Sequence, residues 1–342
     1  MLEDAWTKRF SEIVTRGDKP VPPRKCAGLE CPFWSMRPIL GHWIPILVLN
    51  GTSEATGGRI ITTLLEETYR PDASISCPTT VEATDCPIFV EAAFFHRLLA
   101  SAAPTERSWP GFLQRFIAGF HNGRDVRLST AAHNSARFPI ISPPGTLRNS
   151  TEDIIDRILD GGYFENYGAL GGKELALAIH AVNPALMPLV IVASNDPDDL
   201  LSADDDSEFV LNASKVAQGG AILPTQVKNA RATIDGSEPV TELVSPITTV
   251  VNARTAHGIL GVDELRARLH EAIPQCRTLL IKVRVWPQYE NGSKKSKAVS
   301  MSWWLSKPIQ RHLHQQTEAG KNKNFNAPHL DAMWQLIKTG CT

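Results

Sequence analysis

One stretch in the middle of the chain, RILDGGYFENYGALGGKELALAIHAV at residues 157–182, restricts the possible folds more than any other. Arg157–Leu159 is typical of the end of a short apolar strand, and Asp160 followed by two glycines is typical of a sharp turn. Gly171–Val182 repeats its apolar side chains at helical spacing, which predicts a helix with one buried face. The sequence therefore predicts a strand, a turn and a helix, with a carboxylate at the rim of a sheet.

Two roles are open for Asp160. Gly161 and Gly162 let the backbone turn without a Cβ clash, so the carboxylate can point into a cleft, a geometry that suits a general base. Alternatively, the Asp160 side chain closes the turn by accepting a hydrogen bond from a nearby backbone amide, as aspartate commonly does. Taken without any further information, the residue types favour the turn-closing role.

Strand-like and helix-like segments alternate along the chain. The apolar runs Ile44–Leu49 and Arg59–Leu65, separated by a Gly- and Thr-rich turn, predict two strands, and the uninterrupted run MPLVIVASNDP predicts a strand buried on both faces. A helix is predicted to begin at Ser129 or Thr130. This alternation predicts an α/β fold with a layered, mostly parallel sheet and flanking helices. Because the sequence has no repeat and no long linker, residues 1–342 are predicted to form a single domain.

The overall charge of the chain does not indicate a class of binding partner. Lys plus Arg number 35 and Asp plus Glu number 36, so no net field attracts nucleic acid or an anionic membrane. The first residues, MLEDAWTKRFSEIVTR, are typical of an amphipathic helix and not of a secretory signal or a transit peptide. No run approaches the roughly 18 to 20 apolar residues of a spanning helix. We therefore expect this chain to be soluble by itself and to have no nucleic-acid partner.

The cysteines and acids do not predict a metal site. The six cysteines are Cys26, Cys31, Cys77, Cys86, Cys276 and Cys341. The two near pairs match no common zinc spacing, and a disulfide from Cys77 to Cys86 stays open, although free thiols are the favoured interpretation. The acidic stretch NDPDDLLSADDDSEF lacks the glycine and the terminal glutamate of a calcium loop. We expect no metal and no cofactor.

Five separated phrases carry a resemblance to a known family: LSTAAHNSARFPIISPPGTL, ILDGGYFENYG, PLVIVASNDP, ARTAHG and SMSWWLS. In this order they resemble the C-terminal part of bacterial patatin-like phospholipases, over roughly residues 40–310. In that family the catalytic dyad consists of a serine in a GxSxG elbow and an aspartate in a DG[GA] turn. Asp160, Gly161 and Gly162 match the second motif residue by residue. The resemblance thus implies a patatin-like fold and hydrolysis of lipid acyl esters with Asp160 as the base.

The first motif of the family is missing. The sequence contains no GxSxG, and the phrase GTSEA at Gly51–Ala55 lacks the second glycine. The glycine-rich oxyanion loop of the family is absent too. Because both elements precede the region of likeness, we expect the chain to be the C-terminal portion of a longer product, without its N-terminal strands. Ser53 is the rival nucleophile, and hydrogen bonding to the local backbone is its favoured role.

Five further residues are candidates for the walls of the cleft. The family has a similar Asn-x-Thr phrase at this strand end, which makes Asn50 and Thr52 candidates. Arg137 could contact a phosphate head group, although a surface salt bridge is at least as good an interpretation. Tyr163 and Asn166 follow the base in sequence, and they either line the same cleft or pack beneath it.

Two functions therefore compete. In the first, the chain is the base-bearing portion of a patatin-like phospholipase or lysophospholipase, whose substrate is a lipid or a lysophospholipid and whose parent protein contacts a membrane through the missing N-terminal segment. In the second, the chain is a catalytically dead patatin-like remnant that acts as a lipid-binding or protein-interaction module. The sequence does not specify the compartment, although the resemblance makes a membrane-associated bacterial parent the expected setting.

Overall fold

The computed structural model describes residues 8, 28–36, 45–72, 85–101, 126–137, 142–148, 153–194, 257–258, 260–276, 280–284, 307, 310–311, 314 and 326–340. The chain divides into two compact units, Met1–Arg70 with Cys77–Gly168, and Pro71–Ser76 with Ala169–Thr342. The assignment of one domain to residues 1–342 stays a prediction. The predicted opening helix, apart from residue 8, and the whole acidic stretch NDPDDLLSADDDSEF lie outside the described residues.

The first unit combines short strands with short helices. Its strands are β1 Val48–Ser53, β2 Arg59–Thr63, β3 Thr68–Tyr69, β4 Cys86–Pro87, β5 Ala92–Phe94, β6 Gly145–Arg148 and β7 Ile154–Asp160. Its helices are α1 Phe95–Ser101 and α2 Leu128–Ser135, with 3-10 turns at Phe33–Met36 and Gly161–Tyr163. The mixed α/β class is thereby confirmed.

Five of these strands form one sheet in the order β5-β2-β1-β7-β6. The pairs β1–β2, β1–β7 and β6–β7 are antiparallel, and β2–β5 is parallel. The expectation of a mostly parallel sheet is therefore wrong for the described strands. The physical reason lies in the connection from β1 to β2, because a turn of a few residues can only return the chain antiparallel, whereas a parallel pair needs a crossover of about a dozen residues.

Strand β1 lies further along the chain than its apolar run predicts. The expected strand was Ile44–Leu49, but β1 continues through the polar residues Asn50 to Ser53. These residues stay extended because β7 pairs with them on one side and β2 on the other, in the registers Gly51↔Asp160 and Gly51↔Ile60. Strand pairing thus supplies the backbone hydrogen bonds that the sequence of this segment alone does not predict.

Helices α1 and α2 of the first unit pack on this sheet. Helix α2 contacts β1 and β7, and α1 contacts β2 and β5. Buried Ile60, Phe95, Leu147 and Ile158 form one apolar cluster between them. Helix α2 begins at Leu128, one residue before the expected cap, and its N-terminus has no side-chain cap. Its small buried residues let it lie close to the two strands that carry the candidate site.

Within the described residues, the second unit contains a pair of parallel strands together with helices. Its elements are α3 Ala169–Val182, β8 Val190–Ser194, α4 at 260–272, β9 Leu280–Arg284 and α5 Asn326–Thr339. Strands β8 and β9 pair in parallel, α3 contacts β8, and α5 contacts β9. The prediction that β8 is buried on both faces is wrong, since Val192 is buried but Ile191 is 52% exposed. Among the described residues, no helix is long and apolar enough to cross a bilayer.

The described cysteines are all oxidised. Cys31, Cys86 and Cys276 are each disulfide-bonded, and each is buried. The interpretation of these residues as free thiols is therefore wrong. Spacing alone could not decide the question, because a disulfide depends on the distance between two Cα atoms in the fold. Cys77, the candidate partner of Cys86, lies outside the described residues.

Candidate active site

Asp160 is the last residue of β7, where the chain turns away from the sheet. Its side chain is half-buried, and its Oδ1 accepts a hydrogen bond of 2.7 Å from the backbone amide of Gly162. The Asp160 amide donates to the carbonyl oxygen of Arg137 at 3.3 Å. The turn-closing role predicted for this carboxylate is thus present in the structure. It does not conflict with a role as base, because a hydrogen bond from an amide also orients a carboxylate.

The glycine after Asp160 is required by close contact with the neighbouring strand. A Cβ atom at Gly161 would lie 2.5 Å from the carbonyl oxygen of Asn50 and 2.8 Å from its carbonyl carbon. Both Gly161 and Gly162 are buried. Gly51, which pairs with Asp160, faces a similar restriction, because its Cβ would lie 2.8 Å from the Ile158 side chain. Glycine therefore lets the turn fold directly against β1.

Thr52 connects β1 to both ends of this turn. Its hydroxyl donates to the carbonyl oxygen of Asp160 at 2.9 Å and accepts from the amide of Phe164 at 3.1 Å. The residue is buried, so these bonds form away from solvent. Thr52 therefore contacts the candidate base through the backbone of the turn.

Asn50 lies beneath the segment that follows Asp160. Its Cβ is 2.8 Å from the ideal Cβ position at Gly161, and its Nδ2 is 3.5 Å from the one at Gly168. The Asn50 Oδ1 atom is buried, and it has no hydrogen-bond partner among the described residues. A buried acceptor without a donor costs about 1–3 kcal/mol, so this atom does not stabilise the turn.

Arg137 is held by protein groups. Its Nε donates to Oδ1 of Asn134 at 2.9 Å, and its Nη1 donates to the carbonyl oxygen of Pro143 at 2.6 Å. Tyr163 is half-buried and Asn166 is exposed. Asn50, Thr52 and Arg137 contact the turn that carries Asp160, and Tyr163 belongs to this turn. The role of these residues in lining a cleft stays a prediction.

Ser53 is engaged with a different aspartate. Its hydroxyl donates to Oδ2 of Asp156 at 2.6 Å and accepts from the amide of Thr56 at 3.1 Å. The other oxygen of Asp156 accepts from the amides of Ala55 and Arg157 at 3.1 and 2.7 Å. Because Ser53 is only 5% exposed, this arrangement closes the β1–β2 turn and leaves little room for a substrate. The bond from Thr56 matches the local backbone role predicted for Ser53, whereas the bond to the distant Asp156 side chain was not predicted.

Asp156 and Arg59 are two further residues near the site that were not predicted from the sequence. Asp156 precedes Asp160 by four residues on the same strand, and residues at this spacing lie on one face of a strand. The sequence could therefore have predicted that the two carboxylates share a face. Arg59 is fully buried, lies 5.7 Å from the ring centroid of Phe164 and donates to the carbonyl oxygen of Val90 at 2.8 Å. A cation over an aromatic ring is stabilising, so Arg59 helps to fix the segment after Asp160.

The described contacts of this site centre on one positioned carboxylate, that of Asp160. Within the described ranges, no group of three or more His, Cys, Asp or Glu side chains is placed to hold a metal ion. Comparisons with protein-family models, with curated proteins and with solved structures found no match to the chain. The function of the site therefore has to be inferred from its residues.

Proposed function

We propose that this chain supplies the general base of a patatin-like phospholipase or lysophospholipase, and that Asp160 is this base. The observation that carries the proposal is the turn at the end of β7. A half-buried carboxylate is oriented there by the Gly162 amide, and the turn is held by Thr52 and by the contact of Gly161 with Asn50. Such support from neighbouring groups is what a catalytic carboxylate needs to keep one orientation.

In the proposed reaction, the carboxylate of Asp160 takes the proton of a serine hydroxyl while the serine oxygen bonds to the ester carbonyl carbon. The ester C–O bond then breaks, and the leaving alcohol receives the proton. A water molecule next attacks the acyl carbon and gives its proton to Asp160, and the fatty acid leaves as the proton returns to the serine. The serine belongs to a GxSxG segment that this sequence does not contain.

The test compares two aspartates of β7 in a gene product extended upstream, in frame, to include a GxSxG segment. Replacing a general base lowers the rate by about 10²- to 10⁴-fold, so Asp160→Asn should lower kcat for lysophosphatidylcholine by that factor. Asp156→Asn is the matched control, because it changes the same residue type on the same strand and should leave kcat nearly unchanged. The thermal midpoint of each variant shows that both are folded.

Two results would overturn the assignment. One is hydrolysis by the extended product that survives Asp160→Asn. The other is a fluorophosphonate adduct on Ser53 of the present chain that disappears in Asp160→Ala, because Ser53 would then be the nucleophile. We expect the present chain to take up no adduct, since the Ser53 hydroxyl is buried and bonded on both sides.

A second candidate function, a catalytically inactive lipid-binding module, is favoured by the surface of the second unit. Leu175–Ser194 contains no Asp, Glu, Lys or Arg. Five large apolar side chains of this stretch are 38–52% exposed, namely Ile179, Val182, Leu186, Met187 and Ile191. The loop that carries two of them is folded onto α3, since Nδ1 of His180 and the carbonyl oxygen of Leu186 are 2.9 Å apart. Contiguous exposed apolar surface is typical of an interaction site.

Sedimentation with phosphatidylcholine vesicles tests this candidate. The double variant Leu186→Glu/Met187→Glu should bind at least about tenfold more weakly, because each buried side chain contributes about 1.5–3 kcal/mol. Ile46→Glu is the control, since Ile46 is similarly exposed at 44% but belongs to the first unit. Wild-type protein that stays in the supernatant would contradict lipid binding, and concentration-dependent dimers in that sample would indicate a protein interface instead.

A further inference from the structure

The turn that carries Asp160 is only weakly restricted by its own backbone. Gly161 and Gly162 have no side chains, and glycine has more backbone freedom than any other residue. Restraints from outside the turn therefore add to those within it in keeping the hydrogen bond from the Gly162 amide to Oδ1 of Asp160. One of these restraints comes from β1, where the hydroxyl of one side chain forms hydrogen bonds with the peptide groups at both ends of the turn.

That residue is Thr52, which pairs with Leu159 in the β1–β7 register. By donating to the carbonyl oxygen of Asp160 and accepting from the amide of Phe164, its hydroxyl spans the segment that contains both glycines. Additional bonds within the turn run from the amides of Phe164 and Glu165 to the carbonyl oxygen of Gly161, at 3.1 and 3.0 Å. Those bonds fix the second half of the turn, whereas the Thr52 hydroxyl connects this half to Asp160.

We propose that Thr52 is a positioning residue for the base: its hydroxyl holds the Asp160–Phe164 turn in the conformation in which the Gly162 amide orients the Asp160 carboxylate. This inference rests on the proposed function insofar as Asp160 is the base. The coupling between Thr52 and the carboxylate is a property of the fold, so it can be measured without a serine and without a lipid.

The chain offers a closely matched control in Thr63. This threonine is also buried, its hydroxyl also donates to a carbonyl oxygen, that of Leu47 at 2.9 Å, and it also accepts from a backbone amide, that of Leu65 at 3.3 Å. Thr52→Val and Thr63→Val therefore remove equivalent hydrogen bonds from neighbouring strands of one sheet. Any difference between them reports the position of Thr52 and not the general loss of a buried hydroxyl.

The experiment is amide hydrogen exchange followed by nuclear magnetic resonance on the full chain. In Thr52→Val, the exchange rate of the Gly162 amide should rise at least about tenfold more than the rates of β2 amides, because local opening of the turn becomes easier. Thr63→Val should change Gly162 no more than it changes β2. Thr52→Ser keeps the hydroxyl and should restore slow exchange, together with the wild-type chemical shift of the Gly162 amide.

An equal response of Gly162 to Thr52→Val and Thr63→Val would overturn the proposal, as would slow exchange that persists in Thr52→Val. If valine at position 52 prevents folding, Thr52→Ala and Thr63→Ala provide the same comparison with smaller side chains. Failure of the proposed function would be seen elsewhere, as turnover that survives Asp160→Asn. The two failures are therefore distinguishable.

Discussion

Gly161→Ala should destabilise the first unit by about 3 kcal/mol, the upper part of the usual range for forcing an extra group into a packed site. The added Cβ would lie 2.5 Å from the carbonyl oxygen of Asn50. Because the clash is with backbone and not with a rotatable side chain, either β1 or the Asp160 turn has to move. Both movements disturb the hydrogen bonds that Thr52 makes to the turn.

Urea unfolding monitored by circular dichroism measures this effect. Gly172→Ala is the matched control, because the nearest atom to its Cβ is Cγ1 of Val190 at 3.8 Å, an ordinary contact, and Gly172 lies inside α3. Alanine inside a helix is favoured over glycine by roughly 0.5–1 kcal/mol, so this control should be stabilised. A Gly161→Ala protein with the wild-type unfolding midpoint would show that the turn does not pack against Asn50 as the structure has it.

The local parts of the site could be predicted from sequence, because they depend on residues close together in the chain. The strand, turn and helix around Asp160 were expected, and the structure has β7, the Gly161–Tyr163 turn and α3 at these places. The hydrogen bond from Gly162 to Asp160 was also one of the two roles foreseen. Aspartate at the start of a turn favours this geometry, because its carboxylate reaches the backbone amide two residues on.

The direction of the strands was wrongly predicted, although a signal for one pair was present. The alternation of strand-like and helix-like segments indicated parallel strands, but only five residues separate β1 from β2. A connection this short should have indicated an antiparallel hairpin. The pairing of β1 with β7 had no comparable signal, because the two strands are far apart in sequence and polar residues make much of the contact.

The contacts of Thr52 and Ser53 could not be predicted for the same reason. Thr52 binds the backbone of Asp160, 108 residues away, and Ser53 binds Asp156, 103 residues away. A single sequence shows which hydroxyls can form such bonds but not which strands are neighbours. That Ser53 bonds Asp156 and not Asp160 follows only from the register of β1 against β7, in which Ser53 lies opposite Ile158 and Gly51 opposite Asp160.

Reduction of the disulfides should lower the thermal midpoint by at least about 5 °C, since loss of one native disulfide typically costs 2–5 kcal/mol and a chain of this size loses a few degrees per kcal/mol. Cys31, Cys86 and Cys276 are all disulfide-bonded and all at most 4% exposed. The carbonyl oxygen of Cys31 accepts a hydrogen bond from the amide of Leu128, the first residue of α2. Loosening this region would affect a helix that packs on β1 and β7.

The measurement is a pair of differential scanning calorimetry scans, with the protein oxidised and after reduction in denaturant followed by refolding with reductant. The control is the same reduced sample allowed to reoxidise, whose midpoint should return to the first value. Because the sulfurs are buried, reductant added to the native protein should act slowly and only through unfolding. A midpoint that is unchanged by complete reduction would mean that the disulfides contribute nothing to the folded state.

Alkylation of the unreduced protein decides whether the disulfides exist at all. The structure predicts no modification of Cys31, Cys86 or Cys276 by iodoacetamide in denaturant, whereas free thiols would each add one carbamidomethyl group. Peptide mapping without reduction then identifies the partner of Cys86, for which Cys77 is the candidate from sequence. Modification of all three described cysteines would restore the free-thiol interpretation and remove the reason for the expected loss of stability, because no covalent link would then restrict the unfolded chain.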